Sequence, residues 1–291
     1  MNRVHQTLFR LAAGALLVSS AAVYAAPPSE ATTGPTTAEG SLRRISGTTI
    51  TQDGTVLEGV YISGGVVVNA DNVTIRNFKI ETSGSYGVQA NGTNLVLEDG
   101  EITGMESAAV YGSNFTARRL YVHNSGNDAF KPQQNVVIED SFITELGYVA
   151  DSHADGVQMV SGKNVTIRRN NFVMHDQPGF NNSQVVIVQT NNGPVDNIVV
   201  EGNWINGGGY SLQFRDKNAG YGAPTNVAIR NNRFGDDYQF GPWSLDGNPT
   251  LCGNVWDDSG ALMDRQSSTS CSGTPPSGSK KPATPSLTSV Q

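Results

Sequence analysis

The chain has 291 residues, of which 26 are Asp or Glu and 19 are Lys or Arg, so its formal net charge is −7 at pH 7. This balance lacks the positive surface of a nucleic-acid-binding protein, and that class of partner is therefore excluded. It also weighs against a polyanionic substrate, unless the binding site carries its own positive charge or a bound cation.

The first 25 residues predict a secretory signal peptide. Arg3 and Arg10 lie near the start, and the apolar run that follows them ends in small residues up to Ala25. The run is too short to span a bilayer, and no later segment is apolar enough. We therefore expect a secreted protein, extracellular or periplasmic, with no membrane partner. Loss of residues 1–25 would change the net charge from −7 to −9, because it removes two arginines and no acidic residue.

Composition divides the rest of the chain into three parts. Residues 26–46 begin with APPSEATTGPTTAEG, which predicts a flexible linker. Residues 273–291 are rich in Pro, Ser and Gly and predict a disordered tail. Residues 47–272 lie between them and are long enough for one sizeable domain.

Seven asparagines mark an internal repeat in this domain. They are separated by 22, 20, 21, 29, 33 and 29 residues, and the positions one, three and eight residues after each are apolar in all seven repeats. The seven are Asn72, Asn94, Asn114, Asn135, Asn164, Asn197 and Asn226. Asn tolerates left-handed backbone conformations, and stacked Asn side chains can form hydrogen-bonded ladders.

This pattern predicts an all-β solenoid. Alternation at the first and third positions indicates a short strand with one buried face, and the eighth position begins another strand. Helical periodicity is absent from the sequence, and 33 glycines supply frequent turns. Strands that repeat in this way are typical of about eight stacked coils, each of which buries its apolar positions against the next.

The repeat resembles the single-stranded right-handed parallel β-helix superfamily, the pectate lyase-like proteins that include pectate lyases, polygalacturonases and alginate epimerases. The resemblance covers roughly residues 47–250 and implies a carbohydrate-active protein. The polygalacturonase motif of an Asp-Asp pair, Gly-His-Gly and Arg-x-Lys is not reproduced, which argues against that activity in particular.

A further column of strands precedes the asparagines and predicts a substrate-binding surface. Its outward polar residues should stack about 4.8 Å apart, as suits an extended sugar chain, although an ordinary solvated face would look the same. The candidate binding residues are Gln89, Tyr111, Gln158, Gln189, Gln213 and, from the longer loops after the fourth coil, Tyr210.

Four ionisable residues fall on two adjacent coils of this column. GNDAFKPQ aligns with HADGVQ, which places Asp128 on Asp155 and Lys131 next to them, with His153 two residues before Asp155. A carboxylate pair suits a glycoside hydrolase, or it could hold a calcium ion. Alternatively, each aspartate could hydrogen-bond its own turn.

These residues favour a polysaccharide lyase that cleaves a uronic-acid-containing chain by β-elimination. Lys131 or Arg215 would neutralise the sugar carboxylate, and His153 or Lys131 would be the base. Calcium held by Asp128 and Asp155 would be the only cofactor, as a Lewis acid. The alternatives are a glycoside hydrolase using the two aspartates, a uronan C5-epimerase and a non-catalytic carbohydrate-binding surface protein. We expect a monomer whose partner is an extracellular polysaccharide.

The two cysteines lie near the end of the domain. An exported protein can oxidise Cys252 and Cys271, and a bridge between them would contribute roughly 3 kcal/mol in the chain-entropy model. We therefore predict a disulfide that fastens the last coil.

Overall fold

A computed structural model describes residues 26–174, 178–263 and 271. These residues contain 22 strands, all paired in parallel, and one short 3-10 helix at Glu39–Ser41. The strands are β1 Arg43–Ile50, β2 Val56–Val68, β3 Thr74–Glu81, β4 Tyr86–Ala90, β5 Leu95–Thr103, β6 Ala108–Gly112, β7 Phe115–His123, β8 Asp128–Pro132, β9 Gln134–Glu139, β10 Phe142–Thr144, β11 Val157–Met159, β12 Gly162–Arg168, β13 Asn171–Met174, β14 Val186–Gln189, β15 Val195–Glu201, β16 Trp204–Gly207, β17 Tyr210–Arg215, β18 Thr225–Arg230, β19 Arg233–Phe234, β20 Gly241–Leu245, β21 Thr250–Cys252 and β22 Val255–Trp256.

The strands stack into three faces, and each turn of the chain contributes one short strand segment to every face. Face A consists of residues 48–50, residues 66–68, β4, β6, β8, β11, β14, β17 and β20. Face B consists of residues 56–58, 74–76, 95–98 and 115–118, then β9, β12, β15, β18 and β21. Face C consists of residues 43–46, 60–63, 78–81, 100–103 and 120–123, then β10, β13, β16, β19 and β22. The predicted right-handed parallel β-helix is confirmed.

The apolar positions of the repeat form the core. All 21 residues that lie one, three and eight positions after the asparagines are buried. They stack in register from coil to coil, as Leu97 does on Ile75 and Val200 does on Ile167. Each coil therefore buries its apolar surface against its two neighbours, which is the source of most of the fold's stability.

The repeating asparagines turn the chain from face A into face B. All seven have left-handed backbone angles, with φ between 50° and 58°. The side-chain amide of Asn164 donates to Asn135 Oδ1 (2.8 Å), and Asn197 donates to Asn164 Oδ1 (2.9 Å). Similar bonds join Asn94 to Asn72 and Asn135 to Asn114. The predicted roles of asparagine, in turning the chain and in forming ladders, are both present.

Charged side chains alternate in sign along the neighbouring corner, between faces B and C. Successive coils contribute an acid and then a base, in the order Glu58, Arg76, Glu98, Arg118, Glu139, Arg168, Glu201 and Arg230. Ion pairs of 2.5–3.0 Å join Glu58 to Arg76, Glu98 to Arg118, Glu139 to Arg168 and Glu201 to Arg230. Two further acids at this corner, Asp99 and Asp140, bind Arg119 and Arg169. In all, six of the chain's 26 acidic residues are paired with arginines away from face A.

The segment expected to be a flexible linker is instead attached to the solenoid. β1 begins at Arg43, inside the predicted linker. Upstream of β1, the Gly34 N–H donates to Arg119 O (3.0 Å), the Thr36 and Thr37 N–H groups donate to Asn77 Oδ1, and Asn171 Nδ2 donates to Pro28 O. The composition-based interpretation failed because short polar residues that cannot form a core can still hydrogen-bond across the outside of one.

The predicted disulfide between Cys252 and Cys271 is present and joins the end of β21 to the chain beyond the last strand. The predicted signal peptide, residues 1–25, and the predicted tail, residues 273–291, lie outside the described residues. Within the described part of the chain, no helix is long and apolar enough to cross a membrane.

The two roles of a ladder asparagine can be separated by substitution. Asn164→Gly keeps the left-handed backbone without cost but removes both ladder bonds, whereas Asn164→Ala also incurs left-handed strain of about 1 kcal/mol. We expect both variants to unfold at lower urea concentration than the wild type, with the alanine variant lower by that further amount. Equal stability of the two variants would show that the left-handed geometry is not what selects asparagine here.

Candidate functional site

A row of outward-facing side chains crosses face A from coil to coil. Gln89 pairs with Tyr111 and Tyr111 with Lys131, and the pairing of Val157 with Phe130 places Gln158 next to Lys131. The alternate residues Val88, Val110, Phe130 and Val157 are buried in the core. The pleat therefore presents the polar side chains on the outside, with neighbouring members of the row about 4.8 Å apart.

The sixth coil departs from the predicted row. Ile187 pairs with both Gln158 and Gln213, so a buried isoleucine occupies the position that Gln189 was predicted to fill. Gln189 lies two residues further along β14, where it pairs with Arg215. The predicted position was wrong by two residues along the strand. VVIVQ contains several apolar residues, so its sequence does not show which of them faces outward.

Asp128 and Asp155 lie at equivalent positions of adjacent coils, at the corner where the chain enters face A. Their exposed fractions are only 1% and 2%. Asp128 Oδ1 accepts a hydrogen bond from the Asp155 backbone N–H (2.7 Å), and Asp155 Oδ1 accepts one from the Gln184 N–H (2.8 Å). Each carboxyl group thus binds the backbone of the following coil, where the sequence had suggested binding to its own turn.

The remaining carboxyl oxygens connect the corner to the outer row. Lys131 Nζ lies 2.7 Å from Asp128 Oδ2 in an ion pair and 3.4 Å from Gln158 Oε1, to which it donates. Gln158 Nε2 in turn donates to Asp155 Oδ2 (3.1 Å). Asp128, Lys131, Gln158 and Asp155, here called the Lys131 cluster, therefore form one closed polar network. Lys131 is its charged member at the surface, with 24% of its side chain exposed.

The electrostatics of the cluster follow from burial. Burial raises the pKa of Asp128, although Lys131 and the Asp155 N–H oppose this effect. Burial also raises the pKa of Asp155 well above its ordinary value, and the negative charge of Asp128 raises it further. The two carboxyl groups therefore resist holding two negative charges at once.

His153 does not join this cluster, contrary to the role proposed for it as a base. Its side chain is exposed, and among the described residues no hydrogen bond or ion pair connects it to the Lys131 cluster. Asp151, two residues earlier, has a left-handed φ of 59° in the turn that leads into β11. Proximity in sequence was misleading here, because His153 lies exposed just before the point where Ala154 pairs with Asn182 and the chain becomes buried at Asp155.

Arg215 and Tyr210 also lie away from the cluster. β17 is three strands from β8, or about 14 Å, so Arg215 cannot neutralise a group held at Lys131. Arg215 contacts Asp246 instead (Nε to Oδ2, 3.2 Å). Tyr210 packs against Phe240, with ring centroids 5.6 Å apart, at the opposite end of β17 from Arg215.

The carboxyl groups do not fit the predicted calcium site. Calcium favours six to eight oxygen ligands, whereas the Lys131 ammonium, the Gln158 amide and two backbone N–H groups already occupy all four carboxyl oxygens. In the described part of the chain, no group of three or more His, Cys, Asp or Glu side chains is placed to hold a metal ion.

One contributor was not identified from sequence. The Gln184 N–H, which binds Asp155, follows Asp155 by 29 residues, the same offset by which β14 follows β11 in the pairing of Val186 with Val157. Gly156 is required by close packing, since a Cβ there would lie 2.6 Å from Val185 O and 2.9 Å from Phe172. The role of Gln184 could be inferred only after the coils were aligned across the insertion that follows the fourth coil.

Comparison with known proteins establishes the family. The model described as "Right handed beta helix region" matches residues 59–260, more than half of the chain, and the chain belongs to that family. The fold is similar to three solved structures of the catalytic domain of GH87 alpha-1,3-glucanase in complex with nigerose, two of them with an aspartate replaced by alanine. Each is 14% identical, with TM-scores of 0.44–0.45 and coverage of 69–70% of this chain. The chain spans about half the length of those chains (49–50%). No curated protein matches the sequence.

The raised pKa of Asp155 predicts a pH-dependent effect of Asp155→Asn. A buried acid with a raised folded-state pKa stabilises the protein fully below its unfolded pKa, near 3.9, and that contribution is lost as the pH rises through the folded pKa. Asparagine does not ionise, so the melting temperature of the variant relative to wild type should increase between pH 4 and pH 7.5.

Asp196→Asn provides the control of opposite sign. Hydrogen bonds from Thr225 and Asn226 lower the pKa of Asp196, so its contribution is present above the unfolded pKa and is lost as the pH falls. This variant should therefore lose melting temperature relative to wild type as the pH rises from about 2 to 5, and the difference should then stay constant up to pH 7.5. If Asp155→Asn showed a constant difference at every pH, the carboxyl group would not be perturbed by its surroundings.

Proposed function

We propose that the protein is a secreted enzyme that acts on an extracellular polysaccharide bound across face A, with Lys131 as the group that meets the reacting sugar. The observation that carries this proposal is the position of Lys131. It lies within an outward polar row and is held there by a carboxyl group that is itself almost completely buried. A solvated surface lysine has no need of such a partner, since burying Asp128 costs free energy.

The shape and chemistry of face A suit a chain substrate. Gln89, Tyr111, Gln158 and Gln213 supply amide and phenol groups along the row, and Tyr111 is stacked on Tyr86 with ring centroids 4.8 Å apart. Amides both donate to and accept from sugar hydroxyls, and a flat aromatic pair can pack against a sugar ring. The row runs along the solenoid axis, so a bound chain would follow that axis.

The reaction favoured for this site is β-elimination on a uronic acid. Lys131 as a free amine takes the proton from C5, the electron pair of the C–H bond forms the C4–C5 double bond, and the C4–O bond breaks. The leaving oxygen takes a proton from the Tyr111 hydroxyl, one strand away. For this step Lys131 first passes a proton to Asp128 Oδ2, which lies 2.7 Å from Nζ in the ion pair, and burial raises the pKa of that carboxyl group.

Hydrolysis is the second candidate, favoured by the pairing of Asp128 with Asp155. A carboxylic acid with a raised pKa next to a second carboxyl group is the arrangement that glycosidases use. Burial of both groups weighs against it, because neither oxygen pair reaches the surface where a sugar would bind. An epimerase would use the same proton abstraction from C5 without breaking the C–O bond, and a binding protein would use face A without turnover.

Export is part of this proposal. The disulfide between Cys252 and Cys271 is of the kind that persists in oxidising compartments, and residues 1–25 have the sequence pattern of a signal peptide. The substrate would accordingly be met outside the cytoplasm.

A panel of uronic-acid and neutral polysaccharides tests the reaction. Each sample is read for new reducing ends and for the ultraviolet absorbance of an unsaturated sugar, and both signals together are expected from a uronic-acid chain. Reducing ends without the absorbance would identify a hydrolase. Absence of both signals, with C5 inversion also absent, would contradict the proposed enzyme.

Lys131 variants test the assignment of the base. Asp128→Asn/Lys131→Gln removes the ion pair as a unit, so no buried charge is left unpaired, and we expect turnover to fall at least about 100-fold with the fold retained. Lys163→Gln, which removes an exposed lysine on face B, is the matched control and should retain full turnover. Wild-type turnover by the double variant would remove Lys131 from the mechanism.

A further inference from the structure

Face A carries a second, separate polar depression near the end of β17. It has a volume of about 330 Å³ and is lined by Gln189, Gln213, Arg215, Asp216, Lys217 and Asn218. Gln189 and Arg215 are paired neighbours on β14 and β17, and Gln213 precedes Arg215 by two residues, so these three share the outward side of face A. The depression therefore lies on the same surface as Lys131.

The two basic groups in this depression are only weakly engaged by the protein's own acids. Arg215 makes a single contact with a carboxylate, from Nε to Asp246 Oδ2 at 3.2 Å, and its Nη1 donates to Ser244 Oγ at 3.2 Å. By contrast, Arg119 binds Asp99 through two nitrogens at 2.6 and 2.9 Å. The Arg215 guanidinium thus keeps N–H donors for a ligand, and Lys217 is exposed beside it.

The acid that lines the depression and the acid that contacts Arg215 both accept backbone N–H groups, one within its own turn and the other from the neighbouring coil. Asp216 Oδ1 accepts the Asn218 N–H (2.8 Å), and Asp246 Oδ2 accepts the Asp216 N–H (3.0 Å). Each carboxylate therefore has a backbone partner in addition to any interaction with the bases. The amides of Gln189, Gln213 and Asn218 add donors and acceptors of the kind that bind sugar hydroxyls.

We propose that this depression is a second anion-binding subsite, which takes a carboxylate-bearing sugar of the same chain that Lys131 engages. The proposal rests on the proposed function of face A and adds a property of the substrate to it. The subsite lies about 14 Å from Lys131 along the solenoid axis, because three strand spacings separate β8 from β17. The substrate is then a chain with acidic sugars in at least two places that far apart.

Chain length provides the test, because a short oligomer reaches one subsite and a long one reaches both. Oligogalacturonates and oligoguluronates from dimer to octamer are titrated into the protein by calorimetry at low salt. Wild-type affinity should rise steeply at the length that first spans the two subsites. Arg215→Gln/Lys217→Gln should lower the affinity for longer oligomers by about 30-fold and leave that for the dimer unchanged. Arg43→Gln/Lys163→Gln, which removes the same two charge types from exposed positions on β1 and β12, is the matched control.

The outcomes separate this inference from the proposed function. An unchanged preference for long chains in Arg215→Gln/Lys217→Gln, together with turnover of a uronic-acid polysaccharide, would overturn the second subsite and leave the enzyme intact. Equal losses in that variant and in the Arg43→Gln/Lys163→Gln control would show general charge attraction and would also overturn it. Failure of the wild type to bind either acidic series, with turnover of a neutral polysaccharide, would overturn both.

Discussion

The parallel stacking of one coil on the next is the constraint on which every other feature of this protein depends. Because each strand pairs in register with the strand one coil away, a residue's neighbours are fixed by its position in the repeat and hardly at all by its position in the sequence. In the core, Leu97 stacks on Ile75 and Val200 stacks on Ile167. In the same way, Asn164 stacks on Asn135 at the corner, and Lys131 lies beside Tyr111 on the outer surface.

Register also distributes the charge. The chain is acidic overall, which is an apparent obstacle to an acidic substrate. The alternating ladder places acids such as Glu98 and Glu139 opposite arginines of the next coil, on the far side of the asparagine corner from face A. The row on face A contains Lys131 and uncharged residues among its described members. A net charge of −7 therefore says little about the field that a polysaccharide would meet at this surface.

The sequence was sufficient to predict the features that repeat. The three apolar columns, the left-handed asparagines and their ladder, and the register of Asp128 with Asp155 follow from alignment of the coils, and the structure contains all of them. Alignment of the coils could not determine which residue of the sixth coil faces outward, because its strand contains too many apolar residues. The structure places Ile187 in the row where Gln189 was predicted. The alignment of the coils also did not predict that the two aspartates are almost completely buried.

Features outside the repeat were predicted least well. His153 was grouped with the cluster because it is close to Asp155 in sequence, and Arg215 because of its charge, yet His153 is exposed to solvent and Arg215 lies three strands away. The segment upstream of Arg43 was predicted to be a flexible linker from its composition. Composition indicates whether a segment can form a core of its own, but not whether it can hydrogen-bond to the outside of another core. In each case the missing information was three-dimensional contact that no periodicity encodes.

The central claim is that an acidic polysaccharide binds along face A with its reacting sugar at Lys131. A crystal structure of the Asp128→Asn/Lys131→Gln protein with a bound uronic-acid oligomer tests it most directly. The account predicts a chain that lies along the solenoid axis over Tyr111, residue 131 and Gln158, with one sugar carboxylate or its C5 atom within contact distance of residue 131. A chain bound on face B or face C, or one on face A that passes residue 131 without contact, would contradict it.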